Sequence, residues 1–175
     1  MRRLLLLRHA KTEADAPSGQ DFDRRLDPRG RDDAALIGGW LGQQGRAPHR
    51  VLVSTAVRAR QTWDIVEAEL AKANSRPQAV HLDELYGAGP AQLVGSLQDE
   101  AADAAIVMIV AHNPGLHELA FALAAGGDDA ARTALADNLP TGTVVTLDFD
   151  TDDWGDVRFR SGTLTGFVSP KLLKA

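Results

Sequence analysis

Ile106-Val107-Met108-Ile109-Val110 is an unbroken apolar run, mostly β-branched. It is far short of the roughly 20 residues that span a membrane. An uninterrupted run of this length fits a strand covered on both faces. Leu4-Leu5-Leu6-Leu7 and Val51-Leu52-Val53 repeat the pattern. Such strands belong to mainly parallel sheets with helices above and below.

The segments between the runs supply the helices. Residues 29–44 place Ala34, Leu36, Ile37, Trp40 and Leu41 on one helical face, with Pro28 at the start and Gly45 and Pro48 beyond the end. Helices are also expected over 56–72, over 90–100, and from Pro114 to about Ala125, where Gly126-Gly127 would end the last one. A short strand is expected at 79–82. Thr143–Phe149 and Val157–Arg160 read as strands joined by a hairpin turn at Asp152–Gly155. The expected fold is α/β: three layers, α/β/α, around a mainly parallel sheet with an antiparallel edge from the C-terminal hairpin. Residues 1–175 read as a single domain.

Composition narrows the possible chemistry. A chain of 175 residues buries roughly 70% of its unfolded surface without a staple. The absence of cysteine excludes disulfides, thiolate zinc sites and thiol nucleophiles. A net charge of −5 and only nine aromatic residues argue against a general nucleic-acid binder. The opening leucine run stops at Arg8, short of the about 7–15 apolar residues of a signal peptide, so the cytoplasm is the expected compartment. No P-loop, Gly-x-Gly-x-x-Gly or Gly-x-Ser-x-Gly pattern occurs.

Ligands of open α/β sheets bind beyond the carboxyl ends of the strands. Arg8-His9 follows the first strand, and Ser54 to Arg58 follows the second. Asp83-Glu84 follows the third, and Ala111-His112-Asn113-Pro114 the fourth. Two histidines, two arginines and one or two carboxylates thus meet at one sheet edge. Paired guanidinium groups suit a dianionic phosphoryl group. One imidazole can attack phosphorus, and a second can stabilise the equatorial oxygens. A carboxylic acid can protonate the leaving oxygen.

These segments resemble the histidine phosphatase (phosphoglycerate mutase-like) superfamily. Leu4 to Ala10 is similar to its strand and Arg-His-Gly signature, with Ala10 in place of Gly. Ser54 to Thr62 resembles its Ser-x-x-x-Arg-Ala-x-Gln-Thr segment, and Val110 to Gly115 its second-histidine segment. The length is most similar to the compact SixA-type phosphohistidine phosphatases. The resemblance implies that His9 is phosphorylated, that Arg8 and Arg58 bind phosphoryl oxygens and that His112 completes the pocket, with Asn113 beside it. It implies metal-independent phosphoryl transfer with no cofactor. Glu84, two residues before Tyr86-Gly87, is the candidate acid and Asp83 its neighbour; compact members can lack this acid.

Other polar residues have simpler readings. Arg60 falls on a different helical face from Arg58 and reads as a surface residue. Ser54 reads equally as a helix cap or a pocket residue. His117 lies outside metal-pair spacing, and His49 and His81 flank strands. Residues 21–27 form a mixed-charge loop at the expected pocket mouth. Only 49 residues lie between Thr62 and His112, which leaves little for a lid. The expected function is a phosphatase for a phosphohistidine protein or a small phosphomonoester. The alternatives are a mutase-type phosphotransferase and a phosphate-binding module with little turnover. No nucleic acid or membrane partner is expected.

Overall fold

The computed structural model describes all residues 1–175. Its centre is a seven-stranded sheet: β1 (Arg2–Arg8), β2 (Arg50–Ser54), β3 (Gln78–Leu82), β4 (Ile106–Ala111), β5 (Ala124–Gly127), β6 (Val144–Phe149) and β7 (Gly162–Val168). The spatial order is β3-β2-β4-β1-β6-β7-β5. The first four strands in that order run parallel, β6 is antiparallel to both its neighbours, and β5 pairs parallel to β7. The helices are α1 (Pro28–Gln43), α2 (Val57–Lys72), α3 (Pro90–Glu100), α4 (Gly115–Leu123), α5 (Asp129–Asp137) and α6 (Pro170–Lys174). No helix is long and apolar enough to cross a membrane.

The unbroken runs are buried on both faces. Leu4 and Leu6 of β1, Val107 and Ile109 of β4 and Leu52 of β2 pack in the larger core with α3 and α4. Leu5, Leu7, Met108, Val110, Val51 and Val53 pack on the opposite face against Ile37 and Leu41 of α1 and Trp63 and Val66 of α2. Each such leucine contributes about 2 kcal/mol on burial. α1 begins where Asp27 accepts from the Gly30 amide at 2.7 Å, with Pro28 in its first turn.

Three C-terminal features differ from expectation. The fourth long helix ends at Leu123, not Ala125, and Ala124–Gly127 forms β5, so the sheet extends one strand beyond the β6–β7 hairpin. Its small residues permit this, because the backbone of Gly127 lies so near Leu164 that an added Cβ would fall 2.1 Å from the Leu164 carbonyl. Val157–Arg160 is not a strand; β7 begins at Gly162. Trp154–Asp156 forms a 3-10 turn, where buried Trp154 donates from Nε1 to the Ala104 carbonyl at 2.7 Å, and Val157 is buried in the larger core. That segment plugs the core instead of pairing. Finally, α5 and the short α6 are additional helices, capped by Asp128 accepting from Ala131 N and by Ser169 accepting from Leu172 N.

Candidate functional site

The register of β1 and β4 assembles the site. Arg8 pairs with Ala111, so the next residue on each strand, His9 and His112, emerges side by side. Their ring centroids are 5.3 Å apart, with planes tilted by 51°. β2 pairs Val53 with Val110, which brings Ser54 level with the same edge. Ser54 Oγ lies 2.7 Å from His112 Nε2.

His9 is buried, and its Nδ1 lies 2.8 Å from the Ala10 carbonyl. A carbonyl only accepts, so Nδ1 carries the proton and Nε2 keeps its lone pair. Burial pushes the His9 pKa down to about 3, aided by the nearby His112, Arg58 and Arg8, against the opposing Ala10 bond. His112 is pushed down to about 4, chiefly by burial and then by Arg58. Both imidazoles are therefore neutral near pH 7. Ser54 Oγ also accepts from the Ala56 amide at 3.3 Å. His112 Nδ1 is buried without a partner in the protein; when Ser54 donates to Nε2, the neutral ring carries its proton on Nδ1.

Arg58 stands in the first turn of α2. Its Nη1 donates to the Asp21 carbonyl at 2.8 Å and its Nη2 to Asp21 Oδ2 at 3.0 Å. Thr62, one turn later, donates to the Arg58 carbonyl at 2.7 Å and accepts from the Ala10 amide at 3.0 Å. It thereby ties the α2 start to the chain leaving His9. Arg8 Nη1 and Asn113 Nδ2 donate to one acceptor, the Leu139 carbonyl, at 2.9 and 3.0 Å. The loop carrying Leu139 is held by Gly142 N, which bonds the carbonyls of Arg8 and His9. Burial and the charge of Arg58 lower the Arg8 pKa.

The buried polar atoms without partners point to the same place. They are Nε of Arg8, Arg24 and Arg58, Nδ1 of His112, Oδ1 of Asn113 and Oγ1 of Thr143, with Arg2 Nε alone at the other end of the sheet. Buried polar groups are nearly always paired. Asn113 Oδ1 can only accept, but the three guanidinium Nε–H groups are donors, which an anion site requires.

Of the residues expected at the site, His9, Arg8, Arg58, His112 and Asn113 come together. Glu84 is exposed, and Ser96 of α3 donates to its carboxylate at 3.2 Å; Asp83 accepts from Thr55 at 2.6 Å. The acidic group that does reach the site is Asp21. Its Oδ2 also accepts from the Tyr86 hydroxyl at 2.6 Å, a bond that holds its pKa below the usual carboxylate range, with Arg58 adding to the shift. Tyr86 meets the His112 ring edge-on at 5.6 Å. It is placed there because α4 starts against the same turn, where an added Cβ on Gly115 would lie 2.0 Å from the Ala88 carbonyl. The sequence marked only the loop of Asp21 and the Tyr86-Gly87 pair; the roles of the two side chains arise from contacts across 37 and 65 residues. Arg60 is exposed and bonds the Thr55 carbonyl. His117 bonds the Leu135 carbonyl at 2.6 Å, and His49 and His81 are exposed. Two cavities of about 530 and 540 Å³ lie elsewhere and include none of the site groups. No three His, Asp or Glu side chains are grouped to hold a metal ion.

The sequence pattern of the histidine phosphatase superfamily (branch 1) matches residues 4–85. An uncharacterized protein of Mycobacterium tuberculosis is 34% identical over 168 residues, covering 94% of this chain and 100% of the relative. A SixA-type chain from Agrobacterium tumefaciens superposes with a TM-score of 0.79 at 30% identity, covering 97% of this chain and 98% of that one. The protein histidine phosphatase SixA complexed with tungstate superposes at 0.70 and 26% identity, over 98% of this chain and 99% of that one. These likenesses support phosphatase activity in general terms. Matched along nearly its whole length in both sequence and fold, the chain belongs to the histidine phosphatase superfamily and, within it, to the SixA-type branch.

Proposed function

We propose that this protein hydrolyses a phosphorylated substrate through a phosphohistidine formed on His9, and that the substrate is a phosphohistidine protein. The carrying observation is the neutral His9 ring, fixed by its Nδ1–H bond to Ala10 with Nε2 free beside His112. His9 Nε2 attacks phosphorus, and the bond to the leaving nitrogen breaks, its electron pair going to the substrate imidazole, which leaves neutral because its other ring nitrogen carries a proton. Arg8, Arg58 and the Nδ1–H of His112 hold the equatorial oxygens. Water then attacks the phosphorus, releasing phosphate and restoring the His9 lone pair. No residue of this sequence is assigned to hold a metal in either step.

The substrate class rests on the leaving group. The nearby carboxylates are already engaged: Glu84 by Ser96, Asp83 by Thr55, and Asp21, held ionised, by Arg58 and Tyr86. An imidazole leaving group needs less protonation than an alkoxide. The SixA-type neighbours agree with this choice. For a small phosphomonoester, Glu84 remains the candidate acid, reached by leaving Ser96.

The test is a substrate panel of phosphohistidine protein, a phosphorylated sugar and an aryl phosphate, assayed with chelator, alongside trapping of the enzyme-bound label. Hydrolysis of the phosphohistidine protein, with an acid-labile, base-stable label lost in His9→Ala, is expected. Full activity in His9→Ala would refute the mechanism. A preference for the sugar phosphate, reduced by Glu84→Gln, would replace the substrate assignment.

A further inference from the structure

We propose that Arg24 is a third guanidinium of the phosphoryl site and that Asp21 positions it together with Arg58. This rests on the phosphatase reading above and extends it to a residue outside the family signature segments.

Arg24 and Arg58 share one carboxylate. Asp21 Oδ1 lies 3.4 Å from Arg24 Nε, and Asp21 Oδ2 lies 3.0 Å from Arg58 Nη2. The Asp21 carbonyl joins them again, accepting from the Arg24 amide at 3.1 Å and from Arg58 Nη1 at 2.8 Å. Asp21 thus grips Arg58 through its two terminal nitrogens, end-on. The side edge of that guanidinium, which includes the unpartnered Nε–H, is left for a ligand. Tyr86, donating to Asp21 at 2.6 Å, holds the carboxylate in place from the other side of the mouth.

A surface ion pair three residues apart is the ordinary reading of Asp21–Arg24, and such pairs contribute little. Three observations favour more. Arg24 Nε is buried without a hydrogen-bond partner, like Nε of Arg8 and Arg58. The Arg24 charge is near enough to His112 to help hold its pKa down. The adjacent Arg25 behaves differently: it is exposed and spends Nε and Nη2 on Glu13 at 3.3 and 3.1 Å.

Charge balance gives the same answer. With both imidazoles neutral, Arg8 and Arg58 supply two positive charges and Asp21 removes one. A phosphoryl dianion would then face a single net positive charge. Arg24 restores the second, so the site matches its ligand.

The experiment uses the full chain, with inorganic vanadate and phosphate as probes, and measures binding and kcat/KM on the phosphohistidine protein for Arg24→Ala, Arg24→Lys and Arg25→Ala. Arg24→Ala should weaken vanadate and phosphate binding by roughly 10–100-fold, with an unchanged thermal midpoint. Arg24→Lys should recover part of the loss. Arg25→Ala should stay within about twofold of the parent. Asp21→Asn, of the same shape, should raise KM while leaving the thermal midpoint in place, the mark of positioning and not of folding. Parent-like binding in Arg24→Ala, or an equal loss in Arg25→Ala, overturns the assignment of Arg24. A parent chain that neither hydrolyses any of the panel nor binds vanadate overturns the phosphatase reading itself.

Discussion

Ser54 joins two elements at once: its hydroxyl lies 2.7 Å from His112 Nε2 while accepting from the Ala56 amide at the start of α2. Ser54 is therefore a pocket residue and not a helix cap, since α2 has Ala56 at its N-cap with no side-chain cap bond. When Ser54 donates in this bond, His112 carries its proton on Nδ1, where it can donate to a phosphoryl oxygen.

Removing that hydroxyl should leave His112 buried with its ring free to take either tautomer. The lost bond is worth about 1–2 kcal/mol, so Ser54→Ala should lower kcat/KM by about tenfold. Steady-state kinetics on the phosphohistidine protein would check this. A change of less than about twofold would mean that the tautomer does not matter.

Stability should fall as the solution is acidified. His9 and His112 titrate at about 3 and about 4 in the folded chain, against about 6.5 when unfolded. Between these values the unfolded state binds more protons, so stability is complete above about pH 6.5 and is lost as pH drops toward the folded pKa values. At pH 5 the loss should be on the order of 1–2 kcal/mol per imidazole. Thermal midpoints between pH 5 and 7.5 should show this slope, and a His9→Gln/His112→Gln variant should flatten it. An unaltered slope in that variant would place the acid sensitivity elsewhere.

Arg58 and Arg60 should separate cleanly. Arg58 is buried and faces Asp21 and the pocket, while Arg60 is exposed and bonds only the Thr55 carbonyl. Arg58→Ala should cost roughly 100-fold in kcat/KM, and Arg60→Ala less than about threefold. Equal losses in a direct comparison would assign phosphate contact to the wrong side of α2.

The C-terminal helix should also matter. Asp33 of α1 is almost wholly buried and is paired with Lys174 at 2.6 Å, while Arg29 stands farther off at 3.7 Å. Lys174 is half in water, which limits its worth, so Lys174→Ala should cost about 1–2 kcal/mol. That corresponds to a thermal midpoint lower by roughly 3–6 °C. α6 also packs against the loop that braces Arg8, since an added Cβ on Gly142 would fall 2.9 Å from Pro170. A midpoint unchanged by Lys174→Ala would mean that Asp33 is satisfied without it.

Strands β1 to β4 and β6, four of the six helices and the placement of four candidate site residues were legible because their signals are local. Apolar runs such as Leu4–Leu7 bury on two faces wherever they sit, and Arg8, His9, Arg58 and His112 follow strands whose carboxyl ends must share an edge. The C-terminal errors have local causes too. Val157 is apolar, and only the docking of Trp154 under Ala104 shows that it fills the core and does not extend a sheet. Ala124–Gly127 has little side chain, so nothing in it announces a strand until Leu164 lies alongside.

The sequence alone determined the layered α/β class and which side chains stand at the strand ends, because both depend on periodicity and chain order. Only the tertiary structure decided how those groups are held. The β1–β4 register set His9 against His112, the Leu139 carbonyl gathered Arg8 and Asn113, and Asp21 joined Arg24 to Arg58. Apart from Asp21 and Arg24, which are three residues apart, these are contacts between residues distant in the chain, made by polar atoms whose partners are chosen by packing and not by neighbouring sequence.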